Sequence, residues 1–307
     1  MTPINRREFL LRTALAAGAT TTLTPASLVA ATESPVPKSP IVVFSKVYQM
    51  LKLNYEESAS LTSEAGLAGV DCTVRPAGEV LPERVGEDLP RYATALKQKG
   101  LIMPLITTAI LGPQSPHAEK VLRAARQLGV GYYRIGFVEM ATDSSAKSLI
   151  AERRADLKEL AKLNKQLGLT ALVQNHSPSG HSYLGGDLNE LRQIVADFDP
   201  AEVGIAFDIG HAISVHGKQW ASLFEPLKPH VRIIYVKDVN RQHKWVPFGE
   251  GEVGGCGYFQ VLKELQYKAP ISLHIEFDWN QKGKQQNRAA LLAALRQSVQ
   301  VLRGWLK

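Results

Sequence analysis

Cysteine is scarce in this 307-residue chain: Cys72 and Cys256 are the only two, far apart and outside any CxxC spacing. That excludes a zinc site built on paired cysteines. Two unpaired thiols are expected, with a disulfide between them left open. A dense Lys/Arg block is also missing, as is a basic helix interleaved with aromatics, although the formal net charge is +7. Three arginines and one glutamate lie in the first 31 residues, so the remainder sits near +5, spread along the chain. Charge of that kind serves solubility and attraction of anionic ligands, not nucleic-acid binding. No apolar stretch is long enough to remain as a membrane span, and the one near the N-terminus is rich in threonine. With 45% hydrophobic residues, disorder and coiled coil are excluded, and one large domain or two small ones are expected.

The first 31 residues have the layout of an export signal. Arg6-Arg7 precede Phe9-Leu10, a mildly apolar Ala/Thr/Leu stretch follows, and Val29-Ala30-Ala31 form a small-residue exit. This is the pattern of a twin-arginine signal, to be set aside from fold reasoning. The mature chain is expected to start near Thr32 with a Pro/Ser-rich spacer over 32–40, and to work outside the cytoplasmic membrane, in the periplasm or its equivalent. No cysteine near the cleavage point offers a lipid anchor, so no stable membrane anchor is expected.

Past the spacer, eight β-rich apolar runs alternate with helical patterns: 41–45, 69–74, 101–107, 132–137, 169–174, 203–208, 231–236 and 271–277. The runs are continuously apolar, which suits parallel strands covered on both faces. Two helical segments between them, SPHAEKVLRAARQLG and SLIAERRADLKELAKLNKQLG, end in Leu-Gly, a glycine stop that feeds the next strand. Eight β/α units predict a single (β/α)8 TIM barrel over 41–307. A doubly wound sheet is the rival, but no GxGxxG follows the first run.

In such a barrel the chemistry gathers at the C-terminal strand ends. Those ends carry Lys46, Arg75, Arg134, Gln174-Asn175-His176, Asp208 with His211, Lys237-Asp238, and Glu276. Cations, carboxylates and imidazoles in one ring predict a site for a small polyhydroxylated or anionic ligand. In FDIGHAI, Asp208 and His211 flank Gly210, which is expected to permit a sharp backbone reversal. His274 lies two residues before Glu276 and so on the same strand face. Trp245 and Trp279 are candidates to stack on a sugar ring, with core packing the alternative. GEGEVGG reads as a flexible lid.

The stretches VVFSK, TVRPAGEVLPERVGEDLP, QNHS, FDIGHA, YVKD, PFGEGEV and ISLHIEF resemble the sugar phosphate isomerase/epimerase family of xylose isomerase-like barrels, in its exported branch. The resemblance implies a divalent metal ion (Mn, Mg or Zn) held by Glu, Asp, His and Glu on the fifth to eighth strands. Gln174 takes the first position, Asp208 matches the second, Tyr235 takes the third and Glu276 matches the fourth. It also implies that His211 touches substrate and that Arg241 binds it. Two expected ligands are thus replaced by weaker types, and His211, His176 or Lys237 are the candidates to compensate, Lys237 as a fixed cation.

The implied chemistry is proton abstraction beside the carbonyl of a sugar, through an enediolate. Gln174 cannot remove a proton, so a one-base reaction is expected: Glu276 as base, and His211 or Lys237 as acid. His176, Arg134, Lys46, Arg75, Asp238, His274 and Arg241 are the expected substrate contacts. β-Elimination from a 3-keto-glycoside is the alternative, and a non-catalytic carbohydrate-binding barrel is the rival from another class. The expected partner is a small carbohydrate, not nucleic acid; self-association into a homo-oligomer stays open.

Overall fold

The computed structural model describes residues 39–141, 145–279 and 287–307. The expected signal (1–31) and most of the spacer lie outside the described residues. The eight apolar runs form eight parallel strands: β1 (Ile41–Phe44), β2 (Gly69–Val74), β3 (Ile102–Thr108), β4 (Tyr132–Arg134), β5 (Thr170–Gln174), β6 (Val203–Asp208), β7 (Val231–Val236) and β8 (Ile271–Leu273). They pair in sequence order, and β8 closes on β1. The expected (β/α)8 barrel is the fold.

Two strands, β4 and β8, end three or more residues before the expected runs do. Past Arg134 the chain turns at Gly136, whose N–H donates to Ile110 O; a Cβ there would lie 2.9 Å from the Ala109 carbonyl oxygen. At the end of β8, His274 N–H still donates to Val236 O, and the chain then leaves the sheet carrying Glu276.

Alternation sorts each strand into two environments. Cys72 and Val74 of β2 join the large apolar layer between strands and helices, while Asp71 and Thr73 face inward. Inside the barrel Val42, Leu105, Leu172, Ala206, Ile233 and Tyr235 form a second apolar cluster. Buried polar groups sit beyond it toward the C-terminal strand ends: Thr107, Arg134, Gln174, Asp208, Lys237 and His274. The interior therefore runs from apolar to polar along the barrel axis, so burial and chemistry are kept apart.

The helices follow their sequence periodicity. Helix Ala146–Leu167 buries Ile150, Leu157, Leu160 and Ala161 along one stripe, with about 2 kcal/mol for each large side chain removed from water. Gly168 ends it in the left-handed region (φ 66°), donating its N–H to Asn164 O. Both cysteines are free thiols. No described helix is long and apolar enough to cross a membrane.

Candidate active site

Asp208 does two jobs. It is the N-cap of helix Ile209–His216, where Oδ1 accepts from His211 N–H at 3.2 Å. Its other oxygen, Oδ2, accepts from Gln174 Nε2 at 3.1 Å and lies 3.4 Å from Lys237 Nζ. Asn175 holds the Asp208 backbone from both sides, through Nδ2 to the carbonyl (2.9 Å) and Oδ1 from the amide (2.8 Å). In sequence Asn175 is one more polar strand-end residue; this clamp depends on β5 and β6 being neighbours.

Lys237 is the centre of the site. Its side chain is 2% exposed. Nζ lies 3.3 Å from Glu276 Oε2, 3.4 Å from Asp208 Oδ2 and 2.8 Å from His211 Nε2. The Trp245 ring lies against the ammonium at 4.7 Å and meets the His211 ring edge-on. Gly210 is helical and not at positive φ, so the expected reversal is absent. What the position requires is room: a Cβ on Gly210 would lie 2.7 Å from Lys237 Cγ.

His211 is fully enclosed. Burial, with the Lys237 charge and His176 added to it, pushes its pKa well below the ordinary imidazole range, so the ring is neutral. Its Nε2 lies 2.8 Å from the Lys237 ammonium, which can only donate, so the one ring proton sits on Nδ1, 2.8 Å from Ser177 Oγ and 3.1 Å from Ser177 N. That Nδ1–H donates to the Ser177 hydroxyl oxygen. Ser177 thereby fixes the tautomer that leaves the Nε2 lone pair facing Lys237. His176 packs at 3.8 Å between ring centroids, with Nδ1 2.7 Å from Ser177 O, so Nδ1 carries the proton and Nε2 is an acceptor. Burial and Lys237 push the His176 pKa down to about 4.

The two carboxylates beside Lys237 differ. Burial pushes Asp208 up to about 6 against the pull of the ammonium. Burial also acts upward on Glu276, but Lys237, His274 and Lys46 outweigh it and hold that carboxyl well below its usual range. The Glu276 side chain is 21% exposed and is the carboxylate that solvent can reach. His274 stacks on Phe44 and packs against a tilted Tyr235 ring. Burial holds its pKa near 4, Nδ1 is 3.9 Å from Glu276 Oε1, and neither ring nitrogen has a hydrogen-bond partner in the protein.

The opposite half of the mouth is cationic. Arg134 is buried, donates Nη1 to Ile135 O and lies 4.3 Å from the Phe137 centroid, while its Nε has no protein partner. Burial lowers its pKa to about 10. Arg75 is half-buried beside Phe44, and burial lowers its pKa too, against the pull of Asp71 and Glu276. Lys46 is exposed on the short helix after β1. Beneath them is a residue that sequence reasoning missed. Asp71 accepts from Thr107 Oγ1 (2.8 Å) and Ser272 Oγ (3.0 Å), and burial pushes its pKa up to about 6. Within GVDCTV it looks like any interrupted strand; its signal was a charge inside an apolar run.

Other expected contacts lie elsewhere. Arg241 is 84% exposed and pairs with Glu252 at 3.1 Å, because the Asp238–Val239/Trp245–Val246 hairpin carries it outward. Asp238 is buried, but its carboxylate accepts from the N–H groups of Val239, Gly249, Gly251 and Val253. It anchors GEGEVGG through Gly249, Gly251 and Val253, so the segment expected to be a flexible lid is pinned in place. Trp279 packs in the core.

The residues do not fit the implied divalent metal ion. Tyr235 points inward, but its hydroxyl lies 3.5 Å from Thr107 Oγ1, in the layer with Asp71. Gln174 turns an N–H donor toward Asp208, and the space shared by Asp208, Glu276 and His211 holds the Lys237 ammonium. Among the described residues no three His, Cys, Asp or Glu side chains are arranged to hold a metal ion.

Comparison with known proteins agrees with this architecture. A 3-keto-D-glucoside 4-epimerase from E. coli superposes with a TM-score of 0.68 at 15% identity, over 87% of this chain and 100% of that one. A D-allulose 3-epimerase from Methylomonas sp. in complex with D-allulose gives 0.64 at 11% identity, over 87% and 97%. A xylose isomerase domain protein from Planctomyces limnophilus gives 0.62 at 17% identity, over 88% and 98%. In sequence, the uncharacterized protein MJ1311 of Methanocaldococcus jannaschii is 23% identical over 140 residues, 45% of this chain and 47% of that protein. The chain thus spans about half the length of that relative. The family described as xylose isomerase-like TIM barrel matches residues 59–303, and the chain belongs to it.

Proposed function

We propose that this chain is an enzyme of the sugar isomerase/epimerase type, moving a proton at the carbon next to a carbonyl of a sugar derivative. One observation carries the reading: the solvent-reachable carboxylate, Glu276 Oε2, lies 3.3 Å from the buried Lys237 ammonium. A base and a cation so close suit a reaction in which a C–H proton leaves while charge develops on an adjacent oxygen. Glu276 takes the α-proton, the C–H electron pair becomes the C=C bond, and the carbonyl oxygen becomes the enediolate oxygen, held by a Lys237 N–H. Glu276 returns the proton to the neighbouring carbon, and Lys237, backed by the His211 Nε2 lone pair, gives a proton to one substrate oxygen and takes one from the other. His274, with two unpartnered ring nitrogens, and His176 Nε2 are suited to substrate hydroxyls. Arg134, Arg75 and Lys46 favour an electron-rich or anionic substituent. Support also comes from the fold neighbours, which include epimerases of 3-keto-D-glucoside and D-allulose.

Gln174 favours one-base chemistry over two-carboxylate epimerisation, since an amide cannot accept the proton. The same base would serve β-elimination from a 3-keto-glycoside, and product analysis separates the two: an isomer of unchanged mass, or a released alcohol. The test is solvent exchange in D₂O across a panel of ketoses and 3-keto-glycosides. Deuterium should enter at the α-carbon with the wild type and fail to enter with Glu276→Gln, while ligand affinity persists. A ligand that binds without exchange in either protein would make the barrel a carbohydrate-binding module instead.

A further inference from the structure

We infer that Lys237 is the resident cation of this site, occupying the place where the family resemblance puts a divalent metal ion, so that the protein works without one. An ammonium has three N–H donors, and three groups face this one: Asp208 Oδ2 at 3.4 Å, Glu276 Oε2 at 3.3 Å and His211 Nε2 at 2.8 Å. These are the two intact carboxylate positions of the implied ligand set and the nearest imidazole. Each turns its lone pairs to a nitrogen carried by the chain itself.

The surroundings are built for that side chain. Gly210 leaves space for its stem, since a Cβ there would lie 2.7 Å from Lys237 Cγ, and for its backbone, whose carbonyl oxygen would be 2.8 Å away. Trp245 covers the ammonium with an aromatic face, a contact that suits a cation. The two remaining positions of the implied set are committed elsewhere: Gln174 Nε2 donates to Asp208 Oδ2, and Tyr235 reaches down toward Thr107. A divalent ion within reach of both carboxylates would stand a few ångströms from Lys237 Nζ and be repelled by it.

The chemical consequence is a different kind of electrophile. A fixed ammonium offers an enediolate one positive charge and a directed N–H, and it can give up a proton. This inference deepens the sugar-isomerase reading, but its test requires no sugar. The protein is purified from cells grown with added manganese and zinc, its metal content is measured, and each ion is titrated into it calorimetrically.

The wild type should carry no stoichiometric metal and show no saturable binding at the barrel mouth. Lys237→Ala, which leaves Asp208, Glu276 and His211 facing a shared space, should bind manganese or zinc at least about tenfold more tightly than the wild type. Lys237→Met, which keeps the volume of the stem, guards against collapse of the alanine variant, and circular dichroism reports folding for both. A wild type that holds one equivalent of divalent ion, lost to chelator together with thermal stability, would overturn the inference. So would folded variants with no gain in metal affinity. Neither result depends on which substrate the enzyme takes.

Discussion

Gly210 and Lys237 fit together across the β6–β7 boundary: the bare Cα of one is the space through which the stem of the other passes, and a Cβ on the glycine would come within 2.7 Å of Lys237 Cγ. Helix propensity favours alanine at an ordinary helical glycine by about 1 kcal/mol. Gly210→Ala meets Lys237 Cγ at 2.7 Å and its carbonyl oxygen at 2.8 Å, so it should cost stability despite that propensity and push the ammonium away from Glu276 and His211. We expect kcat to fall about 10- to 100-fold, the cost of misplacing a catalytic group by about 1 Å. Unchanged kcat in the alanine variant would mean that the position of Lys237 is not critical.

Asp71 predicts a pH-dependent stability. Its native pKa, raised to about 6 from 3.8, means that the folded chain holds a proton that the unfolded chain has already released. The associated stabilisation is complete below the unfolded value and is lost as pH rises through about 6, a loss of about 3 kcal/mol in all, roughly half of it between pH 5 and pH 8. Asp71→Asn lacks this dependence, because an amide does not titrate. Urea unfolding at the two pH values should show the wild type losing that much more than the variant. Parallel pH profiles would place the titrating proton elsewhere.

Asp238 and Arg241, three residues apart and both expected to bind substrate, should behave oppositely. Asp238→Ala strips the acceptor from four backbone N–H groups and should cost about 3 kcal/mol or more in stability. Arg241→Ala removes one exposed ion pair and should change stability by less than about 0.5 kcal/mol, with KM unaltered. A large rise in KM for the arginine variant would show that the hairpin folds over bound substrate.

Export rests on the sequence alone, and we propose it on that basis. Residues 1–31 fused to a folded reporter should direct it across the cytoplasmic membrane, and Arg6→Lys with Arg7→Lys should retain it inside. A reporter that stays cytoplasmic with both arginines present would remove the reason to expect an extracytoplasmic substrate.

Much of the site is legible because the eight apolar runs announce their own ends. Once a barrel is inferred, Asp208, His211, Lys237 and Glu276 must converge, since neighbouring strand ends lie within side-chain reach. Asp71 escapes such reasoning because its hydrogen-bond partners, Thr107 and Ser272, are 36 and 201 residues away. Arg241 is assigned by its spacing from Tyr235, and spacing says nothing about the direction in which a hairpin carries a side chain.

The sequence by itself determined the barrel, through continuous apolar runs that are stable only when covered on both faces, and it determined which residue types stand at the mouth. Only the tertiary structure decided how those residues share contacts. Asp208 both caps a helix and faces an ammonium, Asp238 holds a loop, and Lys237 fills the space between two carboxylates and an imidazole. Those roles follow from distances of a few ångströms between groups far apart along the chain, and such distances exist only after the sheet has closed.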